Sequence, residues 1–492
     1  MANKIMMFYK ILLVKNLFLF KKISVFCLVF VFFFFNKVIA AEYTQLAFPG
    51  AKGFGQYSQG GVNGKLYIVD SLADNAKNPE LGTLRYAIKQ KHPRTIVFAV
   101  SGVIKLTAPL KIAHSYLTIA GQSSPGGITL VGAPVSISKA KHVIIRHMRF
   151  RLGTFGYAED SLTVRDSEHI IIDHCSFSWS VDETATFYRN RHFTLQNSII
   201  ANSLNNSIHP KGKHGYGGIW GGANASFINN IIANHGSRTP RINGHRLKSQ
   251  YLVEEEFVEL ANNIIFNWGH NNVYGSENGR FNLVNNYYKP GPASKITQIV
   301  DIWYSPLLTE NQAFINGNYY EGNNRISQEN WRGVNYRLNK KAKRTKSQPN
   351  SPWLSHTLLQ PYKKTDSAFK PVLSAVSMFN QVLKSQNIGA NRNANGTYVD
   401  SVDSYVYQQL GDEINIKNDG LINHEFESIT SWQAYEKQFT QFSLITDNNK
   451  DGVDDSWFAN YTSSRVSNKK STGDTNNSAT GILKLYLDAL AN

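Results

Sequence analysis

Cysteine is nearly absent, with two in 492 residues, Cys27 and Cys175. At most one disulfide can form, so a chain of this length must be held by a large core. Cys175 stands in an apolar run and reads as a buried thiol. Long hydrophobic runs are missing too. Ile23–Phe35 has 13 residues, against the roughly 20 that a membrane-crossing helix needs. Lys4, Lys10, Lys15, Lys21 and Lys22 precede that run and Val38-Ile39-Ala40-Ala41 follow it. Residues 1–40 are therefore expected to be a cleaved secretory signal, with an uncleaved N-terminal anchor as the alternative. A secreted or periplasmic protein with no stable membrane insertion is the consequence. Acid is the third shortage, with 35 Asp and Glu against 52 Lys and Arg, a net charge of +17. Residues 1–40 hold six of those lysines and no acid, so the remainder keeps 46 basic and 35 acidic residues, an excess of 11. On an exported protein such an excess suits an acidic partner: nucleic acid, anionic lipid or acidic polysaccharide.

From about residue 115 to 320 helical periodicity is lacking, and a strand-like unit recurs instead. Tyr116-Leu-Thr-Ile, His142-Val-Ile-Ile, His169-Ile-Ile-Ile and His192-Phe-Thr-Leu follow one another at intervals of 26, 27 and 23 residues. Phe227-Ile-Asn-Asn, Leu260-Ala-Asn-Asn, Leu283-Val-Asn-Asn and Phe314-Ile-Asn-Gly-Asn form a second series. One strand-turn unit per 23 to 33 residues predicts an all-β chain folded as a right-handed parallel β-helix, one coil per repeat. A propeller would need about 40 residues per blade. The Asn pairs suit stacked turns, where Asn tolerates the left-handed conformation and its amide bonds along the stack. The expected division is a β-helix over 41–325, a basic loop region over 326–371 and a partly helical C-terminal extension over 372–492. Thr480 to Leu490 should be an amphipathic helix, and Asp447 to Asp455 reads either as a calcium loop or as an Asx-rich turn.

Charge is distributed unevenly. The stretch 208–246 sets His, Lys and Arg between glycines with no acid, as an anion-binding surface would. Just before it, 169–184 supplies Asp173, Asp182 and Glu183. Asp160 and Asp182 lie 22 residues apart, one coil, so they can stack on adjacent turns. With Glu183 they are the candidate ligands of a hard cation such as Ca2+. Lys211, Lys213 and His214 are candidates for holding carboxylates of a polymer. Trp179 and Trp220 stack on sugar rings or are buried.

Several of these segments resemble polysaccharide lyase family 1, the pectate lyase superfamily, in its secreted bacterial subgroup. They are Ala47-Phe-Pro-Gly-Ala-Lys-Gly-Phe-Gly, Gly82-Thr-Leu-Arg, Ile172-Asp-His-Cys-Ser-Phe-Ser-Trp, Arg238-Thr-Pro-Arg241 and Asp451-Gly-Val-Asp-Asp-Ser-Trp457. The resemblance implies β-elimination of a uronate polymer with Ca2+, Arg238 as the base, and Asp173 and His174 as ties between coils. It also implies a second Arg three residues past the proline. That position is Asn243, so Arg241 or Arg246 would have to serve. An acid is often found four residues after the second metal ligand, and here that position is Thr186. A monomer binding acidic polysaccharide and no nucleic acid is expected. A β-helix glycoside hydrolase and a non-catalytic wall-binding solenoid remain the alternatives.

Overall fold

The computed structural model describes residues 45–307, 312–338, 341–362, 373–467 and 479–491. The signal expected at 1–40 lies outside these residues, as do parts of the basic stretch. The compact unit is Ala47–Asn492.

Short runs of β-branched, aliphatic and aromatic residues, punctuated by Asn, His and Gly, become strands arranged as a parallel β-helix. Lys141–Arg146, Met148–Arg151 and Leu162–Arg165 make the three sides of one coil, and Glu168–Asp173 begins the next. Each strand pairs in parallel with its equivalents one coil away. Face one runs from Lys65–Val69 to Ala313–Asn316, face two from Gly102–Lys105 to Tyr319–Tyr320, and face three from Leu110–Ile112 to Val334–Tyr336. The solenoid therefore passes the expected boundary at 325, because Val334–Tyr336 still pairs in parallel with Val300–Ile302. Thr345–Lys346 then returns antiparallel and Trp353 stacks on Tyr336 at 3.9 Å, so part of the basic stretch is built onto the last coil.

The parallel register places equivalent side chains above one another. Val143, Ile170, Phe193, Ala225, Val258 and Phe281 form one inward column, all fully buried. Burying each larger member is worth about 1.5–3 kcal/mol. Cys175 lies in the same core. Polar residues form columns at the turns. Tyr116, His142, His169 and His192 all have φ between +51° and +58°, and their rings stack at 5.0, 4.7 and 4.7 Å. The second Asn of each pair donates to the next coil: Asn230 to Asn263 at 3.0 Å, Asn263 to Asn286 and Asn286 to Asn318 at 2.9 Å. The first Asn of each pair, Asn229, Asn262 or Asn285, takes the left-handed turn.

Other segments cover two of the three faces. The segment 47–64 crosses the outside of face one, where Phe48 and Ala51 pack on Ile144 and Ile171. Its glycines are needed for contact: a Cβ on Gly55 would lie 2.2 Å from the Ile170 carbonyl oxygen. Helix Ala479–Ala491 also packs on face one, through Leu483, Tyr486 and Leu487 against Val97 and Ala120. Helices Ala375–Ser385 and Ser401–Leu410 cover face two, against Ile199, Ile231, Ile264 and Phe266. On face three, Thr163 and Tyr188 are half-buried and Arg165 is exposed.

Candidate active site

The site is built where the chain passes from face two to face three. Asp160 precedes Leu162–Arg165, Asp182 and Glu183 precede Ala185–Gln196, and Arg238 precedes Arg241–Ile242. Asp160 and the Asp182–Glu183 pair thus come from adjacent coils, and Arg238 from two coils farther on, past the coil that carries Tyr216. Close stacking here requires glycine: a Cβ on Gly217 would lie 2.4 Å from the Arg238 carbonyl oxygen, and one on Gly218 2.0 Å from that of Ala185.

One oxygen from each of Asp160, Asp182 and Glu183 lies within 4.8 Å of the others. Ligands about 2.3–2.6 Å from a shared ion lie no more than about 5 Å apart, so the trio fits a hard divalent cation. The local chemistry agrees with that fit. Burial pushes the Asp160 carboxyl up to about 7, the neighbouring charge of Asp182 adds to the rise, and the Thr163 hydroxyl at 2.8 Å opposes it. Asp182 Oδ1 is buried without a hydrogen bond of good geometry, with His214 Nε2 at 3.1 Å. Thr186, opposite Thr163 in register, is buried where a further acid was expected from the resemblance, so the trio has no fourth carboxylate there.

Arg238 has φ +59° and contacts the carboxylate of Glu183. Its guanidinium also lies 4.1 Å over the ring of Tyr216. The remaining cations sort by exposure. Lys211 and Lys213 are exposed on a loop whose ends, His209 and His214, stack at 3.9 Å. Arg241 is buried, ion-paired to Glu277 at 2.5 Å and flanked by Tyr274 and Trp303, so its charge is already met. Arg246 is exposed, with Arg238, Arg241 and Glu277 as charged neighbours.

Other expectations resolve elsewhere in the coil. Asp173 lies at the turn between faces one and two, accepting from Arg146 at 2.9 Å, Gln196 at 2.8 Å and Asn197 at 3.0 Å. It joins three coils, and His174 lies beside it at 2.8 Å. Trp179 and Trp220 do not face a ligand. Both are fully buried, their indole N–H groups donating to Ser428 and to the Ala185 carbonyl. In 447–455 the carboxylate of Asp447 accepts from the N–H groups of Asp451 and Gly452, the arrangement of an Asx-rich turn. His209, Tyr216, Thr163 and Thr186 were not picked out from the sequence as site residues. The Lys-Gly-Lys between two histidines was the one available hint of a closed loop.

No protein-family model matches the chain. A probable pectate lyase C of Aspergillus flavus is 34% identical over 287 residues, covering 56% of this chain and 61% of that protein. The similarity is to pectate lyases. This chain therefore spans about three-fifths of that relative's length, and the bacterial subgroup stays an expectation. Among solved structures, Jun a 1, the major allergen of cedar pollen, superposes with a TM-score of 0.49 at 21% identity, covering 69% of this chain and 92% of its own. A pectate lyase from Bacillus sp. N165 in complex with trigalacturonate gives 0.45 at 15%, covering 69% and 98%. Among the described residues no helix is long and apolar enough to cross a membrane.

Proposed function

We propose that this protein is an exported polysaccharide lyase that cleaves a 1,4-linked uronate polymer, pectate above all, by β-elimination. The observation that carries this reading is the convergence of Asp160, Asp182 and Glu183 beside the Arg238 guanidinium, with a lysine-bearing loop at the rim. Similarity to pectate lyases over 287 residues supports it.

The reaction removes the C5 proton, leaves a C4=C5 double bond and expels the 4-linked oxygen. Asp160, Asp182 and Glu183 would hold calcium, which would supply neutralisation of the substrate carboxylate next to that proton. Arg238 is the residue we assign to take the proton. A guanidinium is ordinarily protonated, and that of Arg238 contacts the Glu183 carboxylate. Glu183 faces two partners, the carboxylates of Asp160 and Asp182 and the guanidinium of Arg238. Lys211, Lys213 and Arg246 are the exposed cations available to hold neighbouring uronates. The protein acts as a monomer.

One observation favours a hydrolase instead. Asp160, pushed up to about 7, is a carboxyl that can donate a proton near neutrality. A single assay separates the two readings. On polygalacturonate the lyase gives an ultraviolet-absorbing unsaturated product, whereas a hydrolase gives new reducing ends without that absorbance.

A further inference from the structure

Three aromatic rings form a continuous column beside the carboxylate cluster, from Asp182 at one end to Arg238 at the other. His209 stacks on His214 with ring centres 3.9 Å apart and planes within 6°, and His214 leans on Tyr216 at 4.4 Å. The Arg238 guanidinium lies over the Tyr216 ring, 4.1 Å from its centre. We propose that this column is a positioning device for the reaction: its imidazoles orient Asp182, and its phenol ring holds the guanidinium of Arg238. The proposal rests on the lyase reading above and adds His209, His214 and Tyr216 to it.

At the imidazole end one hydrogen bond sets His209, and both rings face Asp182. His209 Nδ1 accepts the Lys211 backbone N–H at 3.1 Å, which leaves the ring proton of a neutral imidazole on Nε2. That nitrogen faces Asp182 Oδ2 at 4.0 Å, while His214 Nε2 stands 3.1 Å from Oδ1. Two imidazole edges, one toward each oxygen, limit rotation of the carboxylate. Groups that orient a ligand carboxylate in this way change metal affinity when removed.

The phenol end is fixed by the backbone. Tyr216 forms parallel bridges with Glu183 on one side and Ser237 on the other, so its backbone is held between the carboxylate residue that Arg238 contacts and the residue just before Arg238. A guanidinium within about 6 Å of a ring centre is attracted to its face. Arg is long and rotamer-rich, and the other close partner of Arg238 among the described residues is Glu183, the carboxylate the cation also uses. The ring of Tyr216 is a partner that no cation displaces. The same closure places Lys211 and Lys213 at the rim, since His209 and His214 are the two ends of their loop.

The test uses the full chain with polygalacturonate and calcium, comparing Tyr216→Leu, Tyr216→Phe and His214→Ala with wild type. Tyr216→Leu should lower kcat roughly ten- to hundredfold, the scale of a misplaced reacting group. Its calcium Kd by titration calorimetry and its melting midpoint should stay near wild type. Tyr216→Phe keeps the ring and should restore kcat. His214→Ala should weaken calcium roughly tenfold or more, with the fold retained. A Tyr216→Leu variant with full kcat, or a Phe variant as impaired as Leu, overturns the role of the ring. An unchanged calcium Kd in His214→Ala overturns the role of the imidazole. If wild type makes no unsaturated product and binds no calcium, the lyase reading falls and the column falls with it. Product from wild type, with variants that behave as wild type, rejects the column alone.

Discussion

Arg238 carries more of the account than any other residue, and its substitution by Lys separates two roles. A base must reach its proton directly, and a shorter, differently shaped cation in that place should cost roughly 10²–10⁴-fold in kcat. Polymer binding should change little, because the charge is kept. If Arg238 only clamps a carboxylate, Arg238→Lys should retain most of kcat and mainly raise KM. Steady-state kinetics on polygalacturonate decide between these outcomes. Lys211→Ala is expected to show the second pattern, since Lys211 is exposed and has no part in the carboxylate cluster. Arg241→Ala should instead act on stability, because it leaves the half-buried Glu277 without its partner and removes the guanidinium that lies over Tyr274 and Trp303. The R-x-P motif alone could not distinguish these arginines. What separates them is the acid that each meets across a coil, and that depends on register.

The strands and their turns were legible because each repeat carries its own signal. Tyr116, His142, His169 and His192 recur at coil spacing and stack ring on ring, and the Asn pairs form the ladders their chemistry suits. Contacts between distant segments were not legible. Arg151 on face two meets Asp400, 249 residues later, at 2.8 Å, and Asp400 also receives Arg149 and caps helix Ser401–Leu410. Burial alone would raise the Asp400 carboxyl, but Arg151 and Arg149 bring it down to about 2. Asp400→Ala leaves two buried guanidinium groups without that carboxylate and should cost about 3–5 kcal/mol in urea unfolding. Asp173 supplies a pH test. Its burial opposes ionisation, yet His174 and Arg146 hold it well below the usual carboxylate range. A depressed folded pKa gives stability that is complete above the unfolded value, about 3.9, and is lost as pH falls through the folded one. The difference in unfolding free energy between wild type and Asp173→Asn should therefore be constant above about pH 5 and shrink in stronger acid. A difference independent of pH would mean that the charge of Asp173 is not what joins the coils.

The unit Ala47–Asn492 is a solenoid with two faces covered by its own flanking segments and a cation-lined site at the edge of the third. That arrangement explains how so few cysteines suffice: apolar columns run the length of the coils, and Ile199, Ile231 and Phe266 on face two are buried under the C-terminal helices. Deleting 373–492 should expose that apolar face and leave the ionised groups of Arg149 and Arg151 unpaired, giving an insoluble or unfolded product in a solubility and circular-dichroism comparison. The excess positive charge, the carboxylate trio and Arg238 become one scheme only if the substrate is an acidic polymer and the chemistry is elimination. Incubation of the purified protein with polygalacturonate, followed by ultraviolet absorbance with calcium, with excess chelator, and with calcium restored, tests that scheme most directly. Absorbance should rise with calcium, stop with chelator and resume on restoration. New reducing ends without absorbance would contradict it in favour of hydrolysis, and full elimination in excess chelator would contradict the cation site at Asp160, Asp182 and Glu183.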